Sequence, residues 1–129
     1  MLNAVVLKAG ILLAIAMQQV PASAVMNYRM VGKEKYQVVD SSGFFIYSKR
    51  KLVQGEKIAR PETVFYFSID SQGPLRELTR ANLEDVFASN AKFRYALEQT
   101  FRSDKQLLEY DRYLKMYKIK YLYNQSLQE

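Results

Sequence analysis

Five basic side chains crowd one short stretch, Lys49-Arg50-Lys51 followed by Lys57 and Arg60. Cations at this density offer ionic contact to a polyanion, an attraction that weakens as salt screens exposed charges beyond about 8–10 Å. The competing reading is a solvated connector, since runs of like charge often do no more than face water. A second mixture lies near the C-terminus, where Tyr110, Tyr113, Tyr117, Tyr121 and Tyr123 interleave with Arg112, Lys115, Lys118 and Lys120. Rings beside cations suit stacking on bases or sugars while phosphates are neutralised. Core packing competes for the same tyrosines, with the phenol ring buried and its hydroxyl handed to a rim partner or water.

Covalent chemistry has less to work with. The chain has no histidine and no cysteine, so transition-metal sites lose their preferred ligands, and Ser-His-Asp and Cys-His nucleophiles are excluded. No acidic loop has the ligand spacing of a calcium site. The remaining class is a carboxylate-dependent hydrolase of cell-wall or glycan substrate, which needs two carboxyls converging in a cleft. Glu77, Glu84, Asp85, Glu98 and Asp111 are the acids on offer, and nothing in their spacing selects a pair. Asp111 and Lys118 would stand two helical turns apart, with Asp111 reaching Lys115 at i+4 instead. No catalytic residue, cofactor or metal site is therefore assigned.

The segment ahead of these residues reads as an export signal. Lys8 supplies a positive flank, residues 9–17 are apolar, and Val20-Pro21-Ala22-Ser23-Ala24 ends in a small-x-small pattern, the layout cut by signal peptidase. Residues 1–24 are the expected signal peptide, with cleavage after Ala24. The apolar run falls short of the about 20 residues a stable span requires, and an uncleaved leader acting as membrane anchor is the alternative. Residues 25–129 have the size of one domain. Without Lys8 they carry 18 basic against 13 acidic side chains, a net charge of +5.

Within that domain the hydrophobic period changes once. Over 35–78 it is strand-like. Residues 35–39 and 44–47 flank Asp40-Ser41-Ser42-Gly43, a hairpin turn, and residues 64–69 form the strongest strand signal before a second turn, Asp70-Ser71-Gln72-Gly73. Residues 48–63 are polar and broken by Gly55 and Pro61, which predicts mostly loop with a short strand near Leu52-Val53. Residues 74–78 are expected to return as a short edge strand.

Over 80–124 the pattern is helical. Thr79 is a good N-cap, and Leu78 and Leu83 occupy the two positions of a hydrophobic staple, so a first helix is expected over 80–88. Asn90 caps a second helix carrying Phe93, Leu97 and Phe101. Ser103-Asp104-Lys105-Gln106 fits a capping box, and the uninterrupted stretch 104–123 predicts one long helix with Leu107, Tyr110, Leu114, Tyr117 and Tyr121 as its packing stripe. On that wheel Tyr113 and Tyr123 point elsewhere and become the candidate aromatic contacts. The class is α+β: antiparallel β-hairpins followed by a three-helix C-terminal half.

Leu78-Thr79-Arg80-Ala81-Asn82-Leu83-Glu84-Asp85-Val86-Phe87, followed by Asn90, Phe93, Leu97, Phe101, Ser103-Asp104-Lys105, Leu108, Tyr110-Asp111, Lys115 and Tyr117-Lys118-Ile119, resembles small exported proteins of Gram-negative bacteria with no known function. The resemblance covers 64–123. It implies a bacterial envelope setting, an aromatic strand ahead of an L-T-x-x-N-L helix start, and a helical C-terminal half. Such proteins have a longer strand-rich portion before the position of Val64 than this chain does. The expectation that follows is a non-enzymatic periplasmic or secreted protein that acts by binding. Its partner would be another envelope protein or an anionic surface component, with no specific nucleic acid and no membrane span once the leader is removed.

Overall fold

The computed structural model describes residues 27–54 and 58–128. Strands β1 (Tyr28–Val31), β2 (Glu34–Asp40), β3 (Phe45–Gln54), β4 (Ala59–Ser68) and β5 (Arg76–Glu77) form one antiparallel sheet in chain order. Helices α1 (Arg80–Val86) and α2 (Ala91–Thr100) follow, then a 3-10 turn (Asp104–Leu108), a small hairpin of β6 (Tyr110–Asp111) and β7 (Met116–Tyr117), and helix α3 (Lys118–Ser126). The fold is α+β, with the sheet in the N-terminal half and three helices in the C-terminal half. The predicted leader and its cleavage site lie outside the described residues.

Short-range side-chain chemistry sets the turns and helix starts. Asp40 Oδ1 accepts from the Ser42 N–H at 2.9 Å and from the Ser42 hydroxyl at 2.8 Å, which folds the chain back toward β3. Gly43 completes this turn at φ 76°, and a Cβ there would lie 3.0 Å from the Tyr123 ring, so both backbone and space call for glycine. Asp70 repeats the device, accepting from the N–H groups of Gln72 at 3.0 Å and Gly73 at 2.6 Å. Thr79 Oγ1 caps α1 through the Asn82 N–H at 3.1 Å, and Asn90 Oδ1 caps α2 through the Phe93 N–H at 3.0 Å, as the sequence predicts.

Strand β1 is an addition to the predicted set, which begins only at residue 35. It pairs with β2 across a tight turn at Gly32, whose φ is 62°. The loop expected over 48–63 is corrected more substantially. Strands β3 and β4 pair continuously from Phe45↔Ser68 to Gln54↔Ala59, so almost the whole segment is a regular two-stranded ribbon. Its outer part is exposed on both faces and shows no apolar alternation, the signal by which strands are read.

The long helix over 104–123 is also corrected. Asp111 Oδ1 accepts from the Leu114 N–H at 2.9 Å, and the Asp111 carbonyl accepts from the Lys115 N–H at 2.7 Å. Lys115 adopts φ 58°, which ends any helix there. Tyr110 and Tyr117, expected on one helical stripe, face each other across β6 and β7 with ring centres 5.2 Å apart. The capping box is not made: the Ser103 side chain makes no cap bond, and Gln106 Oε1 accepts instead from the Arg102 N–H, one residue before the cap, at 2.7 Å.

The core lies between one face of the sheet and the helices. Ile46 and Phe67 come from the sheet, Leu83 from α1, Phe93 and Leu97 from α2, and Ile119 from α3, with Phe44 and Phe87 joining them. Lys120 of α3 is also buried, at 1% exposure. Its ammonium donates to Asp40 Oδ1 at 2.7 Å and to the carbonyls of Ser42 and Phe44. All three protons are thereby used, the condition under which a buried charge is tolerable. The last helix is thus pinned to the β2–β3 turn.

Candidate functional site

The basic residues singled out from the sequence stand on the β3–β4 ribbon. Strand β2 pairs with β3 only as far as Gln37↔Ser48, and β5 covers only Tyr66 and Phe67 of β4. From Lys49↔Val64 outward the element is a two-stranded arm with both edges open. Six residues of strand at about 3.3 Å each give the arm a reach of roughly 20 Å.

Alternation along β3 splits the basic triplet. Lys49 and Lys51 share the face that carries Tyr47, whereas Arg50 lies on the opposite face with Leu52. Arg60, opposite Val53, joins the face of Lys49 and Lys51. Lys57 lies outside the described residues. The cluster is therefore a ribbon that is positive on both faces and not a single flat patch.

At the root of the arm, cations are held by tyrosine rings. Arg29 donates to Tyr47 Oη at 3.2 Å and to Ser68 Oγ at 3.3 Å, and its guanidinium lies 5.7 Å from the Tyr47 ring centre. Tyr47 Oη and Ser68 Oγ are 2.8 Å apart, so this buried hydroxyl pair is satisfied. Lys49 pairs with Glu34 and lies 5.4 Å from the centre of the Tyr36 ring. Its hydrogen bond and its charge hold the Glu34 carboxyl below the ordinary value. Lys51 donates to Tyr66 Oη at 3.1 Å, and that hydrogen bond holds its ammonium above the ordinary lysine value. Tyr36 and Tyr66 meet edge to face at 5.2 Å, a preferred aromatic geometry.

The cations consequently differ in availability. Lys49 keeps 20% side-chain exposure and has an acidic partner, whereas Arg50 and Arg60 are exposed with no ion pair among the described residues. The aromatic candidates separate in the same way. Tyr113 sits in the β6–β7 loop at 92% exposure. Tyr123, expected to point away from the packing stripe, is half-buried against the core instead: its ring packs on Phe44, Phe87 and Phe93 at centre distances of 5.2 to 5.4 Å. The wheel drawn for a single long helix placed it wrongly because α3 begins only at Lys118.

The acids form no comparable site. Asp85 is paired with Arg76 at 2.7 Å and Glu109 with Lys118 at 3.2 Å. A cleft of about 440 Å³ beside the open edge of β4 is lined by Glu62, Glu77 and Asp104 together with Phe65, Leu78 and Leu108. Asp104 there is committed to the Arg80 N–H at 2.9 Å. Of the acids considered from sequence, Glu77 alone reaches this cleft. Among the described residues no group of three potential metal ligands is close enough to hold an ion.

The buried Asp40–Lys120 pair was missed by sequence reasoning, because the partners lie 80 positions apart. Burial alone would raise the Asp40 carboxyl, but hydrogen bonds from Lys120 and Ser42 outweigh it and hold the group below its ordinary value. Burial likewise pulls the Lys120 ammonium down, offset only in part by Asp40. With every donor occupied, Lys120 is a structural cation.

In comparisons with known proteins, no family model matches the chain, and neither a curated protein nor a solved structure does.

Proposed function

We propose that this protein acts by binding, with the β3–β4 ribbon as its contact element and an anionic, phosphate-bearing component of the bacterial cell envelope as its partner. The observation that supports the reading is the placement of Lys49, Arg50, Lys51 and Arg60 on an arm open at both edges and exposed on both faces. A two-stranded ribbon standing alone in water is marginally stable. Regular pairing carried ten residues along each strand suits an arm that presents its side chains in fixed order. The export pattern of residues 1–24 supports placing the protein in the periplasm or outside the cell.

The test is retention on an immobilised polyphosphate support. Wild-type protein is expected to bind and to elute at moderate salt, and the Lys49→Gln/Arg50→Gln/Lys51→Gln variant is expected to pass through with an unchanged circular dichroism spectrum. Equal retention of the two proteins would reject the proposal. Mass spectrometry of native envelope material addresses the location, with Val25 expected as the first residue. The rival hydrolase reading has the Glu62 and Glu77 cleft in its favour, and it predicts cell-wall turnover that is lost in Glu62→Gln/Glu77→Gln.

A further inference from the structure

The edge of β4 that borders the cleft presents free backbone groups. The Phe65 carbonyl accepts from the Leu78 N–H at 2.8 Å, on the side of β4 away from β3. Backbone groups along a strand alternate sides at every residue, and β4 pairs with β3 without a break. The N–H and C=O of Thr63 and the C=O of Pro61 therefore point out of that same edge. Strand β5 pairs only with Tyr66 and Phe67, and beyond Leu78 the chain leaves this lane as Thr79 caps α1. The three outward groups have no backbone partner among the described residues. The lane beside them is the cleft of about 440 Å³, within the roughly 300–1,000 Å³ typical of ligand sites.

The side chains around the cleft are sorted by face. Phe65, Leu78 and Leu108 line its core-facing side and belong to the core or pack against it. Glu62 and Glu77 lie on the opposite face of the sheet, which they share with Tyr66. Both are exposed and make no ion pair among the described residues. Lys51 stands across from Glu62, but its ammonium donates to Tyr66 Oη. At the far lip Asp104 accepts from the Arg80 N–H beside Lys105, so that lip adds no net charge.

We infer that this edge binds a short extended peptide of basic-apolar-basic sequence, which lies in the vacated lane and adds to β4 as an antiparallel strand. The peptide residue opposite Thr63 exchanges two backbone hydrogen bonds with it. Its side chain falls on the face of Thr63, against Phe65, Leu78 and Leu108, where an apolar group is accommodated. The two neighbouring residues point to the other face, one beside Glu77 and one opposite Glu62, where lysine or arginine complements the carboxylates. Pro61 has no N–H, so pairing stops once its carbonyl has accepted a single bond. That stop confines the occupant to a few residues and works against edge-to-edge pairing of two copies along the whole ribbon, as proline on an open edge does. The site is separate from the basic ribbon face, and the inference does not depend on the anionic-partner reading.

The probe is an end-blocked, fluorescein-labelled peptide with an arginine-leucine-arginine centre flanked by serines, titrated with the full chain and followed by fluorescence anisotropy. Saturable, equimolar binding is expected, weakening as salt rises. N-methylation of the central leucine removes the N–H donated to the Thr63 carbonyl and should weaken binding about tenfold. Exchanging that leucine for serine should also weaken it about tenfold. Glu62→Gln/Glu77→Gln, with an unchanged circular dichroism spectrum, should weaken it about tenfold at low salt. Failure of the unmodified peptide to bind would overturn the inference. So would undiminished binding of the N-methylated peptide to wild type, or of the unmodified peptide to Glu62→Gln/Glu77→Gln. A dimer in sedimentation equilibrium that the peptide does not dissociate would assign the edge to a second copy and overturn it as well. Retention on polyphosphate tests the ribbon reading separately and is untouched by these outcomes.

Discussion

Replacing Asp40 by Asn removes the only carboxylate among the described residues that compensates Lys120, and the expected loss follows from the geometry. The ammonium is 1% exposed and lies 2.7 Å from Asp40 Oδ1, and at an effective dielectric near 20 such a contact corresponds to about 6 kcal/mol of attraction. Asp40 keeps 22% exposure, so solvent screening discounts this figure, and an Asn oxygen restores a hydrogen bond of about 1 kcal/mol. The carbonyls of Ser42 and Phe44 remain as acceptors. The net loss should be about 3 kcal/mol, at the lower end of the roughly 3–5 kcal/mol seen when one partner of a buried pair is removed. A domain of this size has roughly 5–15 kcal/mol in total, so the urea midpoint at neutral pH should fall markedly.

The pH dependence has a definite sign. The folded-state Asp40 value lies below the 3.8 of the free side chain, so its contribution is present above that value and is lost as pH falls through the folded-state value. Wild type and Asp40→Asn should therefore converge in acid. Lys120 lies below its ordinary 10.5, so the cost of burying its charge holds at neutral pH and is relieved as pH rises through the folded-state value. Urea denaturation followed by circular dichroism from neutral pH down to acid measures the difference. A loss under about 1 kcal/mol at neutral pH, or a difference that does not shrink in acid, would refute the assignment of Lys120 as a buried cation held by Asp40.

Three further outcomes follow from individual positions. Gly43→Ala places a Cβ at φ 76° and 3.0 Å from the Tyr123 ring, and should cost about 2 kcal/mol in urea denaturation. Lys115→Gly relieves φ 58° and should leave stability unchanged or raise it by about 0.5 kcal/mol, whereas a helix through this position would lose about 1 kcal/mol. Arg50→Gln should reduce retention on polyphosphate by about 1 kcal/mol, and Lys49→Gln by well under half of that because Glu34 already engages Lys49.

What could be read from the sequence was local. Asp40 and Asp70 shape turns through bonds to residues two or three positions ahead, and Thr79 and Asn90 cap helices through bonds three positions ahead. Those interactions are written in consecutive residues, and all four were legible. The ribbon was not, because Arg50↔Thr63 and Lys51↔Glu62 leave both of its faces in water and erase the alternation that marks a half-buried strand. The basic residues stand close together in sequence, but the division of Lys49, Arg50, Lys51 and Arg60 between two faces depends on the strand that was read as a loop. Over 104–123 the spacing of Leu107, Tyr110, Leu114 and Tyr117 fitted a helix, while an Asp111 turn and the left-handed Lys115 overrode it. Buried Lys120 shows the limit most plainly, since its partner is fixed by tertiary structure alone.

The most direct measurement is an amide chemical-shift titration of the isotopically labelled protein with short-chain polyphosphate. The account predicts that the largest, salt-sensitive shifts map to residues 48–54 and 59–64, with Tyr113 and the β6–β7 loop unmoved. Shifts concentrated at Tyr113, or spread evenly over every exposed lysine and arginine, would contradict it.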